Sequence, residues 1–145
     1  MSKARPYAPV LEQLRLAGLR PTRQRLALAR LLFAGADRHV SAEQLHGEAL
    51  GAGIRVSLAT VYNTLHQFTD AKLLREVVVE PGRSYFDTNC SDHHHFYVET
   101  SGHLHDIPGH LLAVSRLPAP PEGTSIERVD VIVRVRPGDK EAREK

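Results

Sequence analysis

Four stretches before Lys72 carry apolar side chains at helical spacing, and the pattern then changes to short strand-like runs. Val10, Leu11 and Leu14 predict a first helix over Pro9–Ala17, ended by Gly18. Leu28, Leu31 and Leu32 predict a second over Pro21–Phe33, with Pro21 in its first turn. Ser41-Ala42-Glu43-Gln44 has the form of a capping box in which Gln44 reaches back, and the helix it opens buries Ala42, Leu45 and Ala49 before Gly51 or Gly53. Ser57 is suited to cap a fourth helix continuing to about Ala71. Its apolar stripe is Leu58, Val61, Leu65 and Phe68, which leaves Thr60, Asn63, Thr64 and Gln67 as an outward, uncharged, hydrogen-bonding stripe.

Leu73–Val79 and Arg83–Asp87 then read as two strands around the turn signal Pro81-Gly82. Short helices followed by a hairpin are the order expected of a winged helix-turn-helix. Thr88–Asp92 is polar and suited to be a hinge. Beyond it the pattern predicts strands His94–Glu99 and His103–Ile107, a short helix His110–Leu117, a Pro-rich loop, and a strand Arg128–Val135. The expected fold is α+β: an N-terminal winged helix-turn-helix domain over residues 1–88, then a small α/β dimerisation and ligand-sensing domain over 89–145. The second part is poor in large apolar groups and would complete its burial against another copy, as a homodimer. A disordered tail is expected over about 137–145.

The net charge of +2 conceals a division. Residues 1–88 hold twelve Lys and Arg against eight Asp and Glu, while residues 89–145 hold seven against nine. The basic half is a weak attractor of phosphates. Histidine is distributed the other way, with six of nine between His93 and His110. A single cysteine, Cys90, excludes an intramolecular disulfide framework and paired-cysteine zinc sites. No apolar run is long enough to cross a bilayer and the first residues lack a signal-peptide core, so a cytoplasmic protein without a membrane partner is expected.

Ser57-Leu58-Ala59-Thr60-Val61-Tyr62-Asn63-Thr64-Leu65 resembles the recognition helix of the ferric uptake regulator family, whose usual form has Arg in place of Asn63. Arg20–Arg25 resembles that family's second-helix opening, Asp37–Glu43 its third-helix approach, and Gly82–Asp87 its wing. With the histidine run and Gly102, the resemblance covers about residues 9 to 135. Tyr85–Asn89, His93-His94-His95 and the lack of cysteine pairs look like the iron response regulator subgroup. Membership there implies haem sensing and control of iron uptake and haem metabolism genes from A·T-rich inverted-repeat operators. The alternative within the family is a general repressor responding to Fe2+, Mn2+ or Zn2+.

The resemblance implies contacts to double-stranded DNA from Arg20 and Arg23 to phosphates or the minor groove, with Thr60, Tyr62 and Asn63 near bases and backbone. Side-chain chemistry agrees in part, since Asn pairs bidentately with adenine and Thr meets a thymine methyl. The family's inter-domain metal set would fall on His39, Asp87, His93 and His95, with Asp where the family has Glu. On a strand, His93 and His95 share a face and His94 points away. A metal held by all four would clamp the two domains, and a mixed N/O set suits Fe2+, Mn2+ or Zn2+ without choosing among them. Haem would take an axial imidazole from His93, His94 or His95, although the Cys-Pro pair of regulatory haem sites is missing, because Ser91 follows Cys90. The family's structural four-cysteine zinc site is absent, its positions held by Val98 and Ser101, and a further carboxylate-bearing site is disrupted by Ala113.

Other classes fit less well. A metallohydrolase would need an open metal position and a general base, and no His-Glu-x-x-His or nucleophile motif is present. A metal or haem storage module leaves the basic helical half unexplained. A non-enzymatic regulator is the expected class.

Overall fold

The computed structural model describes residues 8–138, which form two compact units dividing between Cys90 and Ser91. In the first unit, α1 (Ala8–Leu16), α2 (Arg23–Phe33), α3 (Ala42–Gly51) and α4 (Leu58–Asp70) gather around one apolar core. β1 (His39–Val40) lies between α2 and α3 in the chain, and β2 (Arg75–Glu80) and β3 (Arg83–Asp87) follow α4. The three strands make a sheet in the order β1-β3-β2, antiparallel throughout. In the second unit β4 (His94–Val98) is central, antiparallel to β5 (His103–Ile107) and parallel to β6 (Ile132–Val135). Helices and sheets are therefore segregated as the α+β class requires.

Helix starts follow from side-chain capping. The hydroxyls of Thr22, Ser41 and Ser57 accept from the backbone N–H of Arg25, Gln44 and Thr60, three residues on, at 3.1–3.2 Å. The second helix consequently begins at Arg23 and not at Pro21, because Thr22 supplies the cap and the proline lies before it. Gln44 does not reach back to close a capping box; its side-chain amide donates to Glu48 at 3.4 Å. Leu28, Leu32, Leu45, Val61, Leu65 and Phe68 are buried at the helix contacts, and Phe86 and Val40 cover the core from the sheet. Gly82 turns the β2–β3 hairpin at a φ of 74°, a backbone state that a side chain would strain.

Three expectations are corrected. Thr64 does not share the outward stripe of α4. It lies three residues after Val61 and four before Phe68, on the buried arc, and is 5% exposed. His66, exposed, stands outside in its place. The short helix expected over His110–Leu117 is only a single 3-10 turn, Gly109–Leu111. Eight residues ahead of a proline nucleate a helix poorly without a packing partner, and Leu111, Val114 and Leu117 are exposed. The last strand is Ile132–Val135, shorter than expected, with Arg128 bonded instead to Asp130 at 2.9 Å. β1 was not anticipated, since two residues carry no period. Most of the predicted tail lies outside the described residues.

Arg38 and Glu48 join the α2–α3 connection to α3 through two bonds of 2.9 and 2.6 Å. The Arg38 guanidinium holds the Glu48 carboxyl below its ordinary range, chiefly by hydrogen bonding. A carboxyl with a depressed folded-state pKa stabilises the fold above its unfolded pKa, and that contribution is lost as pH falls through the lowered value. Glu48→Gln is therefore expected to cost under about 1 kcal/mol at neutral pH, since both side chains are near one-third exposed. The difference from the parent should shrink to nothing in acid, as read by urea midpoints across pH. A pH-independent difference would contradict the ion-pair account.

Candidate metal centre and nucleic-acid interface

The β4–β5 register determines one cluster. His95 lies opposite Asp106, so the two side chains share a face of the sheet. His93 precedes the strand by one residue and joins the same cluster, its ring centroid 4.5 Å from that of His95. The Nε2 atoms of His93 and His95 stand 3.5 and 3.3 Å from Oδ1 of Asp106. These donor atoms all lie within 4.8 Å of one another. Both imidazoles are buried, whereas the Asp106 side chain is 51% exposed and gives the cluster an open side.

Hydrogen bonds decide which nitrogen each ring presents. Nδ1 of His93 is 2.7 Å from the Ser91 carbonyl, which can only accept, so the proton sits on Nδ1 and Nε2 offers its lone pair to the cluster. A backbone carbonyl orienting an imidazole in this way is the usual second support of a metal-binding histidine. His94 is set the opposite way. Val131 N–H donates to its Nδ1 at 3.0 Å, leaving the proton on Nε2 of the neutral ring. Nε2 of His94 cannot ligate without breaking that bond, an argument against His94 as an axial haem ligand. Two imidazole nitrogens and a carboxylate oxygen form a borderline donor set that fits Fe2+, Mn2+ or Zn2+.

The other two expected metal residues meet in the first unit. His39 and Asp87 are register partners of β1 and β3, so they also share a face. Asp87 is buried and its Oδ1 accepts from the Asn89 backbone N–H at 2.9 Å. His39 is half-buried, edge-on to Tyr85 with centroids 6.4 Å apart. Asp106 was missed in sequence. Its signal was the period of two from the histidines through a two-strand register, which becomes legible only once the hairpin partner is known.

The residues expected at DNA have different degrees of freedom. Arg20, Arg23 and Asn63 are exposed. Arg25 is not available in the same way: its guanidinium donates to Gln67 Oε1 at 2.9 and 3.1 Å and to the Arg20 carbonyl at 2.9 Å, tying α2 to α4. Gln67 is therefore a scaffold residue as well as a surface one. Thr60 is half-buried, with Ser57 Oγ 2.9 Å from its hydroxyl. Tyr62 donates its phenol to Glu43 at 2.7 Å, a bond that draws the Glu43 carboxyl down and raises the phenol. The phenol proton is thus committed, leaving the Tyr62 ring for contact. A cleft of about 440 Å³ is lined by Arg23, Gln24, Ala27, Gly53, Ile54 and Arg55. It adds Arg55, exposed beside Arg23, which helical spacing alone did not single out. No helix among the described residues is long and apolar enough to cross a membrane.

The family model described as "Ferric uptake regulator family" matches residues 16–133. The ferric uptake regulation protein of Shigella flexneri is 40% identical over 81 residues, which is 56% of this chain and 55% of that protein. The matched stretch thus spans about half the length of such curated relatives. A solved structure of the ferric uptake regulator from Pseudomonas aeruginosa with manganese superimposes with a TM-score of 0.66 at 25% identity, over 88% of this chain and 97% of that one. A zinc-bound manganese uptake regulator gives 0.61 at 25% identity, over 88% and 98%.

Proposed function

The chain belongs to the ferric uptake regulator family, and from that premise we propose that it is a cytoplasmic, metal-responsive transcription regulator which binds operator DNA as a homodimer. The observation that carries the reading is the His93–His95–Asp106 cluster, with the ring of His93 oriented through Nδ1 by the Ser91 carbonyl. A divalent cation bound there would accept lone pairs from the two imidazoles and the Asp106 carboxylate. The neighbours described with manganese and with zinc support a divalent metal as effector. His39 and Asp87 join the ligand set as the family resemblance implies, so that ligands from both units make DNA affinity depend on occupancy.

The first unit works as a winged helix-turn-helix. α4 presents Asn63 and the Tyr62 ring to bases, with Thr60 beside them, while Arg20, Arg23 and Arg55 meet phosphates. Asn63 favours adenine, which supports A·T-rich operators. Exposed Leu111, Val114, Leu117 and Ile126 in the second unit support burial against a second copy. Iron or haem as the physiological effector, with control of iron uptake and haem metabolism genes, is the finer reading drawn from the iron response regulator resemblance. The bond from Val131 to His94 moves any haem ligation toward His93 or His95.

The test is a mobility-shift titration on an A·T-rich inverted repeat with Mn2+, haem or neither. Binding that requires Mn2+ supports the metal reading, and binding abolished by haem supports the haem-sensing one. Indifference to both removes ligand control. Arg23→Ala is expected to weaken binding on all sequences and to flatten the plot of log K against log salt by about one unit for each phosphate interaction it removes. An unchanged slope would take Arg23 off the interface.

A further inference from the structure

A single row of side chains crosses the three-stranded sheet of the first unit. Strand register pairs His39 with Asp87 on one side, and Asp87 with Arg75 on the other. Antiparallel partners project to the same face, so a buried carboxylate stands between an imidazole and a guanidinium. Asp87 is 1% exposed and Arg75 is 5% exposed.

Arg75 departs from the pattern of its own strand. β2 alternates, and its buried positions are Arg75, Val77 and Val79, with Arg75 and Val77 on the face of the sheet opposite to Phe86 and Val40. A valine would suit that face too. A guanidinium there has to be matched by opposite charge, because burying an unmatched ion is costly, and the residue across the register from it is Asp87. Arginine also cannot relieve the site by losing its proton.

We propose that Arg75 is a resident counter-cation of Asp87 that competes with divalent metal for that carboxylate. It rests on the proposed reading in which Asp87 is a metal ligand. In the metal-free protein the guanidinium balances Asp87. A metal that recruits Asp87 must draw the carboxylate away from Arg75 and accept a fixed positive charge nearby, which lowers affinity and raises the concentration at which the regulator responds. Arg75 is in this sense a positioning and threshold residue, not a ligand.

The experiment is calorimetric titration of the full chain with Mn2+, beside thermal melts with and without Mn2+. Arg75→Met and Arg75→Gln are each compared with the parent and with Asp87→Asn. Removing the guanidinium should tighten Mn2+ binding at least roughly tenfold, as expected when a like charge leaves a low-dielectric neighbourhood. It should also lower the melting temperature of the metal-free protein and enlarge the upward shift that Mn2+ produces. Arg75→Gln keeps a polar head in the same space, so it reads the effect if the methionine variant fails to fold. Mn2+ binding at parental strength or weaker in every folded Arg75 variant overturns the proposal and leaves Arg75 a structural residue. Parental Mn2+ affinity in Asp87→Asn overturns it too, since Asp87 is then no ligand. A parent that binds no Mn2+ removes the underlying metal reading as well, and that outcome is distinct from the other two.

Discussion

Replacing His93 and His95 together with alanine should lower Mn2+ affinity by at least about 100-fold and make DNA binding independent of added metal. That figure is a floor, because disturbing only the outer partners of metal ligands costs about 10–100-fold. Here the change removes both imidazoles of the cluster. Folding should survive, since the second unit keeps Tyr97, Leu104 and Ile107 in its buried set. His94→Ala is the matched control. Its Nδ1 accepts from Val131, so the loss should appear in thermal stability and leave Mn2+ affinity near parental. Calorimetry of the three proteins with Mn2+, followed by mobility shifts, separates the cases. Undiminished Mn2+ binding in the double variant, or a His94→Ala protein that loses it, would refute the assigned cluster.

Phe68→Ala should destabilise the first unit by about 3–5 kcal/mol, the usual cost of emptying a buried aromatic site. Phe68 is fully buried near the end of α4, with its ring 6.2 Å from that of Phe33 on α2. Domains of this size are stable by only about 5–15 kcal/mol, so the variant would be partly unfolded at physiological temperature. Asn63→Ala on the same helix makes the useful contrast. Asn63 is exposed, and its truncation should move stability by no more than about 0.5 kcal/mol while weakening operator binding. Urea unfolding beside mobility shifts reads both. A Phe68→Ala protein within about 1 kcal/mol of the parent would mean that α4 is held by something other than this core contact.

Much of the first unit was legible because its signals are local. Capping hydroxyls at Thr22, Ser41 and Ser57 and apolar residues three or four apart act within one or two turns. The hairpin announced itself by Pro81-Gly82 between two strand-like runs. Thr64 was misplaced because a threonine is ambiguous in a polarity pattern, its methyl being as able to bury as its hydroxyl is to face water. The segment after Ile107 was overread as helix because apolar spacing says where a face would lie, not whether anything covers it. Exposed Leu111, Val114 and Leu117 show that nothing in the described chain does.

The division between sequence and tertiary structure follows the range of the interactions. By itself the sequence determined the four helices of the first unit, the hairpin, the basic first half and the same-face pairing of His93 with His95. Those depend on period, capping and charge along a few residues. Only the tertiary structure decided that Asp106 joins the cluster, that the Ser91 carbonyl orients the ring of His93 through Nδ1, and that Val131 occupies Nδ1 of His94. It alone decided that Arg25 is spent on Gln67, and that Arg75, Asp87 and His39 stand in one row. Strand register and hydrogen-bond partners join residues far apart in the chain. No local pattern encodes which partner wins, because that choice is made by the packing of whole elements.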